Sequence, residues 1–194
     1  EESSEFIVKN LDLHPVYIPE MYRELHPFRD YKSYYKLRKL IEEFKPDIVH
    51  THAAKAGAVG RLAASHSGVK AIVHTFHGHV FHSYFGAAKT RMFLEIERYL
   101  AKRTTKIVTL SEIQKQELTE TYKIAPADKF EIVPLGFDLS RFENDKEAKR
   151  AKFRAQYNLD EDEIAIGIVG RLVPIKNHSL FLKALSIVAG KTTK

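Results

Sequence analysis

Short apolar runs alternate along the chain with longer stretches whose apolar positions recur every three or four residues. Asp47–His52 (DIVHTH), Ala71–Thr75 (AIVHT), Lys106–Leu110 (KIVTL), Phe130–Val133 (FEIV) and Ile164–Val169 (IAIGIV) are brief and β-branched. That is the make-up of strands buried on both faces of a parallel sheet. Val16–Ile18 reads as one further short strand near the N-terminus. Between the runs, Tyr34, Leu37, Leu40, Ile41 and Phe44 keep helical spacing, as do Phe93, Ile96 and Leu100. Ser111-Glu112-Ile113-Gln114 is a capping box, and Asn177 is placed to cap a last helix striped by Leu180, Phe181, Ala184, Leu185 and Val188. Strand–helix alternation of this kind predicts βα units and an open α/β parallel sheet.

The polar stretch from Pro134 to about Asp145 reads as a linker, and only a basic helix, one strand and one helix follow it. The expected division is therefore 1–138, a Rossmann-like unit incomplete at its start, and 139–194, the opening of a second. The chain reads as the interior of a longer protein.

Composition narrows the class. Of 194 residues, 44% are hydrophobic and 29% charged, the balance of a globular protein rather than a disordered chain, a collagen or a coiled coil. No apolar run approaches the ~20 residues that span a bilayer, and no basic-then-apolar leader opens the sequence. Cysteine is absent, which excludes disulfides, thiolate metal sites and cysteine nucleophiles and fits the cytoplasm.

The net charge is +6, from 31 basic and 25 acidic side chains, with ten histidines besides. The excess forms no basic tail or block, so nucleic acid is not an expected partner. The stretch Arg29–Lys39 interleaves Tyr31, Tyr34 and Tyr35 with five cations. It fits either a solvated helix face or contact with an anionic membrane surface.

Ligands of open parallel sheets bind beyond the carboxyl ends of the strands, and polar groups collect there. His50-Thr51-His52 ends the first run, while His74-Thr75-Phe76-His77-Gly78-His79 ends and follows the second. Pairs two apart lie on one face of an extended chain. Imidazoles at this density allow zinc, hydrogen bonding or proton handling, or structural packing. The lack of interspersed acids, of HExxH and of cysteine weighs against metal. Ala54–Arg61 (AKAGAVGR) opens a helix with small residues, either to admit an anion at its N-terminus or to pack closely on the sheet. Gly170-Arg171-Leu172-Val173-Pro174-Ile175-Lys176-Asn177 sets two cations five residues apart beside a capped helix, a diphosphate clamp or a plain surface loop.

Taken in series, PDIVHTHAAKAGAVGRLAA, VKAIVHTFHGHVF, ERYLAKRTTKIVTLSE, DKFEIVPLGFDLSRF and IVGRLVPIKNHSLFLKAL resemble the retaining glycosyltransferases of family 4. The resemblance implies a GT-B fold, two Rossmann-like domains facing across a cleft, with acceptor on the N-terminal side and nucleotide-sugar donor on the other. It implies that Arg171 and Lys176 hold the donor diphosphate, with Gly170, Asn177 and Gly136 also on the donor side. His77 would reach the donor sugar, as the third catalytic group beside Arg171 and Lys176. His52, Lys55, Gly57, His79 and the loop Val80–Phe85 would line the acceptor side. Gly136 and Asp138 match an Asn-Gly-x-Asp turn in which Leu135 stands where asparagine is usual.

The family's glycine-rich loop would precede Glu1, and its Glu-x7-Glu segment would follow Lys194. The chain alone is then expected to be inactive. The implied reaction is retaining transfer of a hexosyl group from a nucleoside diphosphate sugar to a glycan or lipid-linked acceptor. Neither cofactor nor metal is expected, and the place is the cytoplasm at the inner face of the membrane, in surface polysaccharide assembly. The alternatives are a GT-B nucleotide-sugar epimerase and a non-catalytic sugar-nucleotide or membrane-surface binding module.

Overall fold

A computed structural model describes residues 11, 13–22, 24–78, 81 and 86–190. The chain divides into two compact units, Glu1–Gly136 and Phe137–Lys194.

In the first unit, α1 (Pro27–Phe44) leads to β1 (Ile48–His52), α2 (Ala54–His66), β2 (Ala71–Thr75), α3 (Ala87–Ala101) and β3 (Lys106–Thr109). Then come α4 (Glu112–Gln116), which widens into a π turn at Glu117–Thr121, a 3₁₀ turn and β4 (Phe130–Ile132). The four strands form one parallel sheet in sequence order. Val16–Ile18, expected to be a strand, forms none. The first helix begins seven residues before the apolar stripe that predicted it. Pro27 supplies a preset φ at the first turn, and His26 caps the helix by accepting from the Arg29 amide at 3.4 Å.

Register places Thr51, His74, Ile107 and Phe130 side by side across the sheet, and all four are buried. Its Thr51 and His74 are the floor on which α2 sits. An added Cβ on Gly57 would lie 2.9 Å from Nδ1 of His74 and closer still to Cε1, and one on Gly60 would lie 3.0 Å from Thr51 Cγ2. Helix and sheet can approach this closely because side chains are missing there. The hydroxyl of Thr51 donates to the Val73 carbonyl at 3.2 Å and accepts from His74 Nδ1 at 2.9 Å. His74 is 1% exposed, and burial first, then the Arg61 charge, lower its pKa from 6.5 to about 3.

The helices lock to one another by polar contacts. Arg61 of α2 donates to Gly57 O at 3.1 Å and pairs with Glu97 of α3 at 2.7 Å, both side chains buried. Tyr34 of α1 is hydrogen-bonded to His66 of α2 at 2.6 Å. Phe76, Phe81, Ala101, Ile107, Leu118, Ile124 and Phe130 form the apolar core. Burial was expected on both faces of the strands. Instead β3 alternates between half-buried and buried positions, and β2 does so until its last two residues, His74 and Thr75, which are both buried.

The second unit contains α5 (Ser140–Glu143), α6 (Lys146–Gln156), a 3₁₀ turn at Pro174–Lys176 and α7 (His178–Ala189). The expected strand Ile164–Val169 makes no ladder, and Ile164 is 86% exposed. A parallel strand needs a neighbour, and the described residues of this unit supply none. The apolar stripe of α7 is likewise largely uncovered, with Leu180 61% and Val188 52% exposed, since one βα unit has no second layer of its own.

Two measurements test the seat of α2. Gly57→Ala forces a methyl into His74, so urea unfolding should show a loss of about 1–3 kcal/mol; unchanged stability would refute the close contact. Because folded His74 binds its proton only near pH 3 while the unfolded imidazole binds near 6.5, the unfolded state holds the extra proton between those values. His74 therefore lowers stability as pH falls through that window, by up to about 1.4 kcal/mol per pH unit. Urea midpoints of His74→Gln should fall less steeply than those of the parent chain from pH 7 to pH 4.5; equal slopes would contradict the assignment.

Candidate functional site

Strand alternation carries the side chains next to the buried row onto the other face of the sheet. Thr51 and His74 meet α2, so His50, His52 and Thr75 do not. At this carboxyl edge His50 Nε2 is hydrogen-bonded to Thr75 Oγ1 at 2.7 Å. The His50 and His52 rings lie 4.3 Å apart, and the His77 ring lies 5.1 Å beyond His52, both pairs tilted by less than 40°. His52 Nδ1 and His77 Nε2 are 2.9 Å apart, a hydrogen bond that carries one proton. Burial first, then the charges of His50 and His77, lower the pKa of His52.

His77 itself is exposed. Its neighbour Phe76 is held by a backbone bond to Val108 at 2.9 Å, and Gly78 follows at φ 148°, a conformation open to glycine. On the β1 side, Ala53 turns the chain from His52 into α2 at φ 61°, ψ 158°. That is glycine territory, costing a residue with a Cβ about 1–3 kcal/mol.

The other residues expected on this side have different surroundings. Lys55 pairs with Asp30 at 2.5 Å and donates to the Glu24 carbonyl, its side chain 13% exposed, so its charge is engaged by α1 and the segment before it. Gly57 is buried under His74, and the close-packing reading of AKAGAVGR accounts for it. His79 lies outside the described residues, as does most of Val80–Phe85. Phe81 is described, and it is buried in the core beside Tyr122, ring centroids 5.0 Å apart. Among the described residues no group of three or more His, Asp or Glu is arranged to hold a metal ion.

In the second unit, the loop Gly170–Asn177 is built around its backbone. His178 donates from Nε2 to the Arg171 carbonyl at 3.0 Å, and Asn177, at φ 48°, accepts from the Leu180 amide at 3.2 Å and caps α7. Gly170 abuts Lys176, whose Cγ would lie 3.7 Å from an added Cβ. The Arg171 and Lys176 residues are exposed, and among the described residues neither is in an ion pair. Gly136, at the end of the first unit, has open space around it, and Asp138 accepts from the Ser140 amide at 3.0 Å.

Two features escaped sequence reasoning. The His52–His77 bond joins residues 25 apart, and only the register of β1 on β2 brings them together. The His178 tether stood one residue past the motif that drew attention; a polar side chain directly after a helix cap was the available signal.

Residues 2–141 match the model of Glycosyltransferase Family 4. The chain is 32% identical over 172 residues to the UDP-Gal:alpha-D-GlcNAc-diphosphoundecaprenol alpha-1,3-galactosyltransferase of Escherichia coli, covering 89% of this chain and 44% of that protein. It is 26% identical over 188 residues to the capsular polysaccharide biosynthesis glycosyltransferase CapM of Staphylococcus aureus, 95% and 48% of the two chains. A D-inositol 3-phosphate glycosyltransferase of Segniliparus rotundus is 29% identical over 152 residues, 76% and 33% of the two. The chain thus spans less than half the length of these relatives. Among solved structures, the UDP-GlcNAc 2-epimerase of Methanocaldococcus jannaschii matches with a TM-score of 0.50 and 18% identity, over 78% of this chain and 42% of that one. That likeness is one of fold and agrees with the expected α/β, GT-B-type class. With more than two thirds of its residues matched in order, this chain belongs to Glycosyltransferase Family 4.

Proposed function

We propose that the protein to which this chain belongs transfers a hexosyl group from a nucleoside diphosphate sugar to a lipid-linked glycan acceptor, with retention of anomeric configuration. The observation that carries this reading is the pair of exposed cations Arg171 and Lys176, without an ion pair among the described residues, beside the capped N-terminus of α7. A departing diphosphate gathers negative charge, and fixed cations with free helix amides stabilise it where it develops. Family membership and the glycosyltransferase relatives support the reaction class. The relative from Escherichia coli, whose name specifies a diphosphoundecaprenol acceptor, supports the lipid-linked acceptor, and CapM supports a role in surface polysaccharide assembly.

In the proposed step the bond from the anomeric carbon to the diphosphate oxygen breaks as the acceptor oxygen bonds on the same face. The acceptor proton passes to the departing phosphate. His77 meets the donor sugar, and neither metal nor protein nucleophile takes part. The epimerase alternative rests on fold alone. Incubating the full-length protein with UDP-, GDP- and ADP-sugars and a lipid diphosphate acceptor, then reading the anomeric proton coupling of the product, tests the whole reading. Sugar epimerised and not transferred would overturn it.

The same reading places the protein at the cytoplasmic face of a membrane. On α1, Phe28, Tyr31, Lys32, Tyr35 and Lys39 share one outward face, with Phe28 63%, Tyr31 59% and Tyr35 48% exposed. Lys32 lies 4.7 Å over the Phe28 ring, and Arg29 is as close to Tyr22. Exposed rings interleaved with cations suit the headgroup layer of an anionic bilayer. Among the described residues no helix is long and apolar enough to cross a membrane, so the contact proposed is peripheral.

Lys176→Ala in the full-length protein should lower kcat by about a hundred- to thousand-fold; near-normal transfer would remove the clamp assignment. Co-sedimentation with phosphatidylglycerol vesicles should be clear at low salt, weaker in Lys32→Glu/Lys39→Glu and lost at high salt. Equal binding to neutral and anionic vesicles, or none at low salt, would exclude the α1 surface.

A further inference from the structure

His77 is the exposed end of a three-ring stack whose base is fixed. His50 is bonded to Thr75 at 2.7 Å, and its ring lies 4.3 Å from that of His52. His52 then meets His77 through a ring nitrogen on each side, 2.9 Å apart. The backbone does little to orient His77. Phe76 before it is tied to β3, whereas Gly78 after it takes a conformation few side chains tolerate. Among the described residues, the imidazole of His52 is the side chain that meets the ring of His77.

We infer that His52 is a positioning residue that fixes the ring plane and the tautomer of His77, and so decides what His77 presents to a sugar ligand. With Nε2 engaged by His52, Nδ1 is the nitrogen of His77 left for a ligand. When both rings are neutral, one proton lies in the 2.9 Å bond. If His52 donates it, His77 carries its own proton on Nδ1 and offers a donor; if His52 accepts, Nδ1 offers a lone pair. Either way the tautomer of one neutral ring sets that of the other. A sugar hydroxyl, which both donates and accepts, then meets one defined partner rather than a mixture.

The function assigned to His77 rests on the glycosyl-transfer reading, but the coupling of the two rings does not. The geometry also separates stacking from hydrogen bonding. Phenylalanine at position 52 keeps a ring against His50 and has no nitrogen for His77. Asparagine reaches the Nδ1 position with an amide and loses the ring.

The experiment is ¹⁵N-histidine NMR on the full-length protein, reading the two ring-nitrogen shifts of His77, alongside kcat and KM for the donor. In the parent protein His77 should show a single tautomer. In His52→Phe it should relax to the mixed tautomers of a free imidazole, with kcat about ten-fold lower, the worth of one ordinary hydrogen bond, and little change in KM. His52→Asn should restore the single tautomer and most of kcat. His77 shifts that are the same in His52→Phe as in the parent overturn the inference, as does His52→Asn behaving like His52→Phe. If the shifts respond as expected in a protein that transfers no sugar, the positioning role stands and the transferase reading falls.

Discussion

The imidazole of His74 lies between the bare backbone of Gly57 and the hydroxyl of Thr51, and the arrangement of the first unit follows from that contact. A helix comes this near to a sheet only where it carries no side chain, and α2 supplies Gly57 and Gly60 on the facing side. Once Thr51 and His74 point into α2, the two-residue period of a strand sends His50, His52 and Thr75 to the opposite face. The histidine stack at the carboxyl edge is thus the reverse side of a packing contact. What α2 gains in closeness, the other face displays as chemistry.

The price of this arrangement is visible nearby. Ala53 holds a conformation suited to glycine at the turn from β1 to α2, and Arg61 and Glu97 are both withdrawn from water. A buried ion pair seldom adds net stability, but removing either partner strands a charge. Here the pair ties α2 to α3, and the cation adds to the burial that lowers the pKa of His74. The result is a sealed histidine within the core and three others at the edge, of which His52 has its pKa lowered by burial first and then by the charges of His50 and His77.

Much of this was legible beforehand, and the exceptions have a common cause. AIVHT became β2 at the expected residues, and DIVHTH, KIVTL and FEIV became β1, β3 and β4 within a residue or two. Ser111 accepts from the Gln114 amide at 3.2 Å as its capping box predicts, though Gln114 returns its bond to the Leu110 amide. Asn177 caps α7. The two caps depend on neighbours within four residues. IAIGIV failed as a strand because a strand is a relation between two segments, and its composition says nothing about whether a partner is present. His74 and His77 look alike in sequence, yet one is sealed under a glycine and the other is open.

The chain's own pattern determined its class of fold, the order of its elements, most of its caps and the family it resembles, because each depends on local spacing or on motifs read in series. Tertiary structure alone decided which histidine is buried, which face carries the stack and which lysine is already spoken for. Lys55 is committed to Asp30 and Glu24, whereas Arg171 and Lys176 have no ion pair among the described residues. Register between strands and the distance of helix from sheet set these outcomes. Both are properties of segments far apart in sequence, and periodicity along one segment carries no record of them.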